Sequence, residues 1–430
     1  MTPSARAVLP AALDGSFAHR RASTTLTVVD AAGAPVPGAD VTVEQVRHEF
    51  GFGNIGFDLI AFANGAASGG HNVFGGARAE QGARLAELWL GLFDSATLPF
   101  YWRGFEREEG RTQTDVMMCA ARWFADRGVR VKGHPLVWHT LAPQWLLGRS
   151  DAEVEAAIRA RIRRDVTAFA GVIDLWDAIN EVVIMPVFEA EENAVTPLAA
   201  ARGRVAMVRM AFETAREANP GARLVLNDFD LSADYEHLIE ECLAAGIVID
   251  ALGLQTHMHQ GYRGEEQVAG ILERFARFGL PLQLTETTLV SGELMPPEIV
   301  DLNDYVVDSW PSTPEGEARQ ADELLRHVRS LFGHPAVESM TYWGLSDDGA
   351  WLGAPAGLVR ADGTTKPSYD QLRGLVRGDW WLAPTALTAD EHGQVEITAF
   401  AGRYAVRAGG TAVEVDLAAG PGAVEVALAR

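Results

Sequence analysis

An eightfold alternation of strand-like and helical segments constrains the fold of this chain more than any other feature. Repeated strand–helix units form parallel sheets, and eight of them are typical of a closed (β/α)8 barrel. An open doubly wound sheet is the alternative, and it requires a binding motif where the strand order reverses. The eight strand-like runs are FGFGNIG at 50–56, LGLFDSATL at 90–98, VRVKGHPLVW at 129–138, DLWDAINEVV at 174–183, RLVLNDFD at 223–230, DALGLQTHMH at 250–259, LPLQLTET at 280–287 and ESMTYWGL at 338–345.

Three of the intervening stretches have recognisable helix ends. Ser150 and Glu153 form a capping box ahead of the run EVEAAIRARIRRDVTAF. The run VAMVRMAFETAREA stops before Asn219, and EARQADELLRHVRSLF precedes Gly333. These signals predict helices between the strands, as the barrel requires.

Short strand-like segments flank the barrel region at both ends of the chain. Residues 23–49 and 379–430 alternate apolar and polar residues and are broken by turns rich in glycine and proline. We therefore divide the chain into an N-terminal extension at 1–22, an N-terminal β segment at 23–49, the α/β barrel at 50–378 and a C-terminal β segment at 379–430. Because chain termini often lie close together, the two β segments are candidates for one accessory β-sandwich.

Composition excludes several classes of protein. The 430 residues contain 36 Lys and Arg against 58 Asp and Glu, a net charge of −22, which argues against a nucleic-acid partner. No apolar run approaches the roughly 18 residues of a transmembrane helix, so no membrane partner is expected. Cys119 and Cys242 are the only cysteines, which excludes a disulfide framework. Pro10 and Asp14 interrupt the apolar patch near the N-terminus, so we expect no signal peptide and a cytoplasmic location.

A glycine motif at the first strand resembles a dinucleotide-binding fingerprint. Gly51, Gly53 and Gly56 satisfy GxGxxG. The following FDLIAFANGAASGGHN is too rich in glycine and asparagine for the helix that would receive a pyrophosphate. We expect these glycines to serve close packing of the first barrel strand instead.

Two further segments invite a metal interpretation. His257 and His259 alternate along one strand and so point the same way, and NDFD at 227–230 has closely spaced acids. A catalytic metal needs three or four ligands at defined spacing, and neither segment supplies them. We expect no metal.

Polar residues at the ends of apolar runs are the candidates for chemistry, because functional side chains of a barrel project from the carboxyl ends of its strands. Glu181 ends the fourth predicted strand and Glu286 ends the seventh, while His134 and His257 end the third and sixth. Two carboxylates that face one site are what glycoside hydrolysis requires.

Four sequence blocks resemble the family 10 glycoside hydrolases, the endo-β-1,4-xylanase family. The resemblance covers the central 330 residues or so and implies a (β/α)8 barrel flanked by β segments, as in plant-type members. The blocks occur in the order of the family: KGHPLVWH at 132–139, WDAINE at 176–181, GLQTHMH at 253–259 with LTET at 284–287, and YWGLSDDGAW at 342–351.

The resemblance also implies roles for single residues. It makes Glu181 the general acid/base and Glu286 the nucleophile, with Asn180 bonding the sugar 2-hydroxyl and His257 orienting the nucleophile. It implies neither a cofactor nor a metal. The remaining implied residues line the sugar site, and these are His134, Trp138, Gln255, Trp343 and Trp351.

The chain departs from the family in the segment after the second strand. Family members typically have a Glu-Asn pair there, followed closely by Lys, which hold the sugars on the non-reducing side of the cleaved bond. Here Pro99, Phe100, Tyr101 and Trp102 occupy the region. We expect Tyr101 and Trp102 to contact substrate instead. A second departure is Thr288, which stands where the family usually has an acid two residues after the nucleophile.

Three functional hypotheses follow. The first is a retaining β-glycoside hydrolase acting on β-1,4-xylosidic bonds in xylan or xylo-oligosaccharides. The second is a related barrel β-glycosidase for a small plant-type glycoside or saponin-like conjugate with another glycone, since an aromatic segment suits an apolar partner. The third is a catalytically inactive carbohydrate-binding barrel, which retention of both glutamates disfavours. All three expect a carbohydrate partner, and the sequence gives no indication of the oligomeric state.

Overall fold

The computed structural model describes residues 5–65 and 76–427. Strands alternate with helices through the middle of the chain and follow one another directly near both ends. In chain order the strands are β1 (Arg6–Val8), β2 (Arg21–Val29), β3 (Asp40–His48), β4 (Gly51–Ile55), β5 (Ser95–Pro99), β6 (Arg130–His134), β7 (Leu175–Asn180), β8 (Arg223–Asp228), β9 (Ala251–Met258), β10 (Leu282–Leu289), β11 (Val337–Tyr342), β12 (Thr385–Thr388), β13 (Gln394–Phe400), β14 (Gly402–Ala408), β15 (Thr411–Leu417) and β16 (Gly420–Ala427).

The predicted helices are confirmed. The predicted capping box of Ser150 and Glu153 is also formed. The Ser150 backbone N–H donates to Glu153 Oε2 at 2.9 Å, directly before α5. The helices are α1 (Ile60–Ala63), α2 (Gly82–Leu90), α3 (Trp102–Phe105), α4 (Thr114–Ala125), α5 (Asp151–Phe169), α6 (Val195–Arg202), α7 (Arg204–Ala218), α8 (Ala233–Ala244), α9 (Glu265–Ala276), α10 (Pro314–Phe332) and α11 (Pro367–Gly374).

Strands β4 to β11 close into a barrel, which confirms the predicted (β/α)8 fold and excludes the open sheet. The order around the barrel is β4-β5-β6-β7-β8-β9-β10-β11, and β11 returns to β4. The pairings from β4 to β10 are parallel. All eight predicted runs therefore contain a barrel strand, and their carboxyl ends meet at one mouth.

Close packing accounts for two of the three glycines in the GxGxxG motif. A Cβ atom at Gly53 would lie 3.0 Å from Thr341 Oγ1, and one at Gly56 would lie 2.7 Å from the Phe124 ring. The chain then enters the short 3-10 turn Phe57–Leu59. The motif therefore marks tight packing at the first barrel strand, as expected.

The two terminal segments combine into two four-stranded sheets. One sheet has the order β1-β13-β2-β16 and the other has the order β12-β3-β14-β15, so each contains strands from both ends of the chain. Buried and more exposed residues largely alternate along β2 and β13, as the sequence pattern predicted. The predicted pairing of the two ends is confirmed.

The chain forms two compact units that interleave along the sequence. One contains residues 1–51, 329–338 and 370–430, and the other contains residues 52–328 and 339–369. We propose that the four sequence segments defined above begin at residues 1, 23, 50 and 379. Among residues 5–65 and 76–427, no helix is both long enough and apolar enough to cross a membrane.

Candidate active site

The strands that carry the two candidate glutamates are both irregular. β7 ends at Asn180, directly before Glu181, and Glu286 lies within β10. The pairing of β7 with β8 skips Ala178, and the pairing of β10 with β9 skips Thr285. Such bulges re-aim nearby side chains and are over-represented next to active sites. Each irregularity lies next to or a few residues before a candidate glutamate.

Glu181 is held by hydrogen bonds on its backbone and on both carboxylate oxygens. Its φ angle is +57°, in the left-handed region, which costs a non-glycine residue about 1–3 kcal/mol. Its backbone N–H donates to Asn227 O at 2.9 Å. Oε1 accepts from Asn180 Nδ2 at 3.0 Å and from Gln255 Nε2 at 3.3 Å, and Oε2 accepts from Trp138 Nε1 at 2.7 Å. These bonds fix the strained residue in one orientation.

The environment of Glu181 favours its protonated form. Burial and, next, the nearby charge of Glu286 raise the pKa of Glu181 to about 8. Asp228 contributes a smaller repulsion, and burial raises its own pKa to about 7 although its carboxylate accepts the Val183 backbone N–H at 3.0 Å. A carboxyl group with such a pKa keeps its proton at neutral pH and can donate it.

Glu286 lies among donors and ring nitrogens. Its Oε1 accepts from Asn227 Nδ2 at 3.0 Å, and its Oε2 lies 3.2 Å from His257 Nε2. His134 Nε2 approaches Oε1 at 3.8 Å. Several hydrogen-bond partners hold such a carboxylate in one orientation. Glu181 and Glu286 therefore sit in different surroundings within one site.

A network of side-chain amides joins the two glutamates. Asn180 Oδ1 accepts from Asn227 Nδ2 at 2.7 Å and from Gln255 Nε2 at 3.1 Å. Asn227 Oδ1 in turn accepts from Thr285 Oγ1 at 2.6 Å. A Cβ atom at Gly253 would lie 2.3 Å from Asn227 Oδ1, so glycine is needed for this approach. In the sequence, Asn227 stands out only as part of the NDFD segment at 227–230, and no local pattern indicates its place between the carboxylates.

A buried ion pair between Lys132 and Asp177 adjoins His134. Asp177 Oδ1 lies 2.7 Å from Lys132 Nζ, and Asp177 Oδ2 lies 2.8 Å from His134 Nδ1. Burial acts to raise the pKa of Asp177, but the Lys132 charge and the His134 hydrogen bond outweigh it and lower that pKa. Lys132 and Asp177 were not among the predicted site residues. They lie within the motifs KGHPLVWH and WDAINE, and these motifs were the sequence signal from which both residues could have been predicted.

Thr288 contacts the histidine beside the nucleophile candidate. Its Oγ1 lies 3.2 Å from His257 Nδ1 and 3.4 Å from His259 Nδ1, and it accepts the Met258 backbone N–H at 3.3 Å. Burial lowers the pKa of His259 to about 3. Where family members usually have an acid, this chain therefore has the uncharged hydroxyl of Thr288 beside the uncharged ring of His259. The two histidines do lie side by side, with ring centroids 5.9 Å apart.

Aromatic side chains surround the carboxylates. Trp343 packs edge-on against His134 at 5.2 Å between ring centroids, and Trp351 lies 4.9 Å from His257. Tyr101 lies 5.8 Å from His134 and 5.5 Å from Trp138. Burial, followed by the nearby carboxylates, raises the pKa of the Tyr101 hydroxyl well above its ordinary value. Tyr101 therefore stays protonated and can donate a hydrogen bond.

Trp102 does not join this group, although the sequence analysis expected it to contact substrate. Its Nε1 donates to Glu106 Oε2 at 2.9 Å, the Arg161 guanidinium lies 4.8 Å from its ring centroid, and Trp145 packs edge-on at 5.6 Å. The cause is that α3 begins at Trp102, so the side chain turns away from that of Tyr101. Trp102 is buried and is left out of the site proposed below.

His139 is a neighbour of Glu181 that the sequence analysis did not select. Its Nε2 lies 3.9 Å from Glu181 Oε2, and the Phe188 ring packs 4.2 Å from its own. Burial lowers its pKa to about 3, so the ring is neutral. Within residues 5–65 and 76–427, neither ring nitrogen has a hydrogen-bond partner. The described part of the chain contains no cluster of three or more His, Cys, Asp or Glu arranged to hold a metal ion.

The sequence profile of Glycosyl hydrolase family 10 matches residues 101–374. The chain belongs to glycosyl hydrolase family 10. It is therefore a glycoside hydrolase, and the match begins at Tyr101, inside the segment that departs from the family pattern.

Several relatives and structural neighbours of this chain are named as xylanases. Endo-1,4-beta-xylanase C of Paenibacillus barcinonensis is 27% identical over 256 residues, which cover 53% of this chain and 22% of that protein. Endo-1,4-beta-xylanase of Geobacillus stearothermophilus is 27% identical over 262 residues, 57% of this chain and 74% of that protein. The solved xylanase 10B of Thermotoga petrophila superimposes with a TM-score of 0.61 at 21% identity, covering 76% of this chain and 94% of its own, which establishes the shared fold.

Proposed function

We propose that this protein is a retaining β-glycoside hydrolase of xylanase type, which hydrolyses β-1,4-xylosidic bonds in xylan or xylo-oligosaccharides. The observation that supports this most is the raised pKa of Glu181, about 8, beside the hydrogen-bonded carboxylate of Glu286. One group is thereby suited to give a proton and the other to attack. The Thermotoga petrophila neighbour was solved as a complex with xylobiose, which supports a carbohydrate substrate.

In the first step, Glu286 attacks the anomeric carbon while the bond from that carbon to the leaving oxygen breaks. Glu181 gives its proton to the leaving oxygen, so the aglycone departs as a neutral alcohol. The donors Asn227 and His257 hold the Glu286 carboxylate for attack. Asn180 lies beside the proton donor and is proposed to bond the sugar 2-hydroxyl.

In the second step, water attacks the same carbon and the bond to Glu286 breaks. Glu181, now a carboxylate, takes the proton from that water and returns to its starting state. The sugar leaves with the configuration it had in the substrate. His134, Trp138, Gln255, Trp343, Trp351 and Tyr101 are proposed to line the sugar site.

Chemical rescue tests the assignment of Glu181. In Glu181→Ala, an aryl glycoside with a good leaving group still forms the glycosyl intermediate, but no base activates water. Azide needs no base, so added azide should raise the turnover rate and yield a β-glycosyl azide. The control is Glu298→Gln, an exposed acid on the loop after β10, whose rate azide should not change. An α-glycosyl azide, or no azide effect in Glu181→Ala, contradicts the mechanism.

A second candidate is a β-glycosidase for a small glycoside with a non-xylan glycone. Tyr101 favours it, because an aromatic ring lies where charged and amide groups would otherwise bind sugar hydroxyls. A hydroxyl left unpaired against such a surface costs about 1–3 kcal/mol. Hydrolysis rates on polymeric xylan, xylo-oligosaccharides and plant-type glycosides separate the two candidates, since efficient internal cleavage of xylan is incompatible with the second.

A further inference from the structure

We propose that an aromatic arc closes one end of the sugar site and restricts this enzyme to removing a single terminal sugar from its substrate. The arc consists of Trp343, Phe57, Tyr101 and Trp138. This proposal rests on the proposed function, because it assumes hydrolysis at Glu181 and Glu286. The proposed mode of action is exo rather than endo. The proposed substrate class is a glycoside whose glycone is one sugar unit.

The rings of the arc contact one another without interruption. Phe57 packs against Trp343 at 5.7 Å between centroids and against Tyr101 at 5.8 Å, both edge-on. Tyr101 continues to Trp138 at 5.5 Å. His134 lies inside the curve, 5.2 Å from Trp343 and 5.8 Å from Tyr101. Aromatic pairs at these distances are in van der Waals contact, so no sugar unit passes between neighbouring members.

The four members come from the ends of four strands that are adjacent in the barrel. Phe57 follows β4, Tyr101 follows β5, Trp138 follows β6 and Trp343 follows β11. In the barrel order, β11, β4, β5 and β6 are consecutive. The arc therefore spans half of the mouth, on the side opposite the amide network of β7, β8 and β9.

The arc lies on the side of the glycone. Tyr101 belongs to the segment after β5, where the family resemblance implies contacts to sugars on the non-reducing side of the cleaved bond. Phe57 and Trp343 are 6% and 9% exposed, whereas Trp351, beside His257, is 38% exposed. A substrate can thus extend toward the exposed Trp351 and is blocked toward the arc, in which Phe57 and Trp343 are buried and Tyr101 and Trp138 are partly buried.

A buried arginine braces the arc from behind. The Arg161 guanidinium donates to Leu136 O at 2.8 Å, to Pro135 O at 3.1 Å and to Phe100 O. These carbonyls belong to the segments that follow β5 and β6 and carry Tyr101 and Trp138. Three bonds from one planar group hold both segments at once. The backbone beside Tyr101 and Trp138 is therefore held in place on the side of the arc that these two residues form.

The test compares 4-nitrophenyl glycosides of one and of two sugars. The single-sugar probes are the β-D-xyloside, β-D-glucoside and β-D-galactoside, and the two-sugar probe is the β-xylobioside. We expect kcat/KM for the best single-sugar probe to exceed that for the xylobioside by about tenfold or more, as steric exclusion from a pocket implies. A higher kcat/KM for the xylobioside than for every single-sugar probe would overturn the proposal.

Opening the arc should weaken or remove the preference. Tyr101→Ala removes the ring between Phe57 and Trp138, so the ratio of xylobioside to xyloside kcat/KM should rise about tenfold. Phe57→Ala opens the neighbouring position and should shift the ratio in the same direction if Tyr101→Ala does not fold. Tyr305→Ala removes a ring from the loop after β10 and should leave the ratio as in the parent. An unchanged ratio in folded arc variants contradicts the proposal.

The outcomes also distinguish this proposal from the proposed function. Hydrolysis of the xylobioside in preference to all single-sugar probes leaves the proposed function standing and removes the arc's role. Failure to hydrolyse any probe, confirmed by the same lack of activity on xylan, overturns the proposed function and the arc's role together. End-labelled xylohexaose gives an independent reading, because exo action releases one sugar at a time and endo action yields mixed lengths from the start.

Discussion

The two halves of the barrel mouth differ in chemistry. Around the ends of β7, β8, β9 and β10, the side chains are carboxylates, amides and imidazoles joined by hydrogen bonds of 2.7 to 3.3 Å. Around β11, β4, β5 and β6, they are rings packed at 5.5 to 5.8 Å with His134 inside their curve. We propose that the polar half serves bond cleavage and the aromatic half serves substrate choice, so that mechanism and specificity depend on different residues.

His134 connects the halves. Its Nδ1 contacts the buried Asp177 carboxylate at 2.8 Å, and its Nε2 faces Glu286 at 3.8 Å. Its ring meanwhile packs against Tyr101 and Trp343. The Asp177–Lys132 pair fixes this ring from the interior of the barrel, so both halves share one rigid reference point.

The largest effect should come from Glu286 in the polar half. Glu286→Gln keeps the shape and removes the attacking charge, so we expect kcat to fall by about 10⁴-fold or more. The measurement is turnover of an aryl β-glycoside, with Glu298→Gln as a matched control that retains parental activity. Activity within tenfold of the parent would refute the role of Glu286.

A comparison of Asn227→Ala with Phe57→Ala should show whether the polar and aromatic halves of the mouth affect different kinetic properties. Asn227 bonds both Asn180 and Glu286, so its loss should lower kcat by about 100-fold on every substrate, as loss of a positioned catalytic donor does. Phe57→Ala should change the order of preferred substrates and leave kcat on the best probe within about tenfold of the parent. If both variants change substrate preference alike, the two halves do not act separately.

The pH profile should report Glu181. Because its folded pKa is raised to about 8, the proton is present below that pH and is lost as the pH rises through it. A general acid must be protonated, so kcat/KM should fall about tenfold per pH unit above about pH 8. The profile of kcat/KM between pH 5 and 10 checks this. If kcat/KM of Glu181→Ala still falls at alkaline pH, another group is responsible for that fall.

Local sequence patterns predicted most of the fold. The eight strands, the helix ends at Ser150 and before Asn219, and the packing glycines Gly53 and Gly56 follow from periodicity and backbone geometry, which act over a few neighbouring residues. The bulges at Ala178 and Thr285 were not predicted, because nothing in their composition distinguishes them from regular strand. They arise from the pairing with β8 and β9.

The site was predicted in part. Strand-end positions selected Glu181, Glu286 and His257, the family resemblance added Asn180 and Gln255, and the structure brings these residues together. The bond from Asn227 to Glu286 and the pair Lys132–Asp177 were missed, because both join strands that are distant in sequence. Trp102 was expected at the site but turns away, since the helix that begins there sets its direction.

The sequence by itself determined the strand–helix repeat, the two candidate glutamates and the family resemblance, because each is written in short-range order along the chain. Only the tertiary structure decided what surrounds them. The pKa of Glu181 depends on burial and on a carboxylate 105 positions away in the chain, and the aromatic arc depends on four strands closing side by side. Barrel closure creates these contacts, because it brings strand ends that are remote in sequence to one rim.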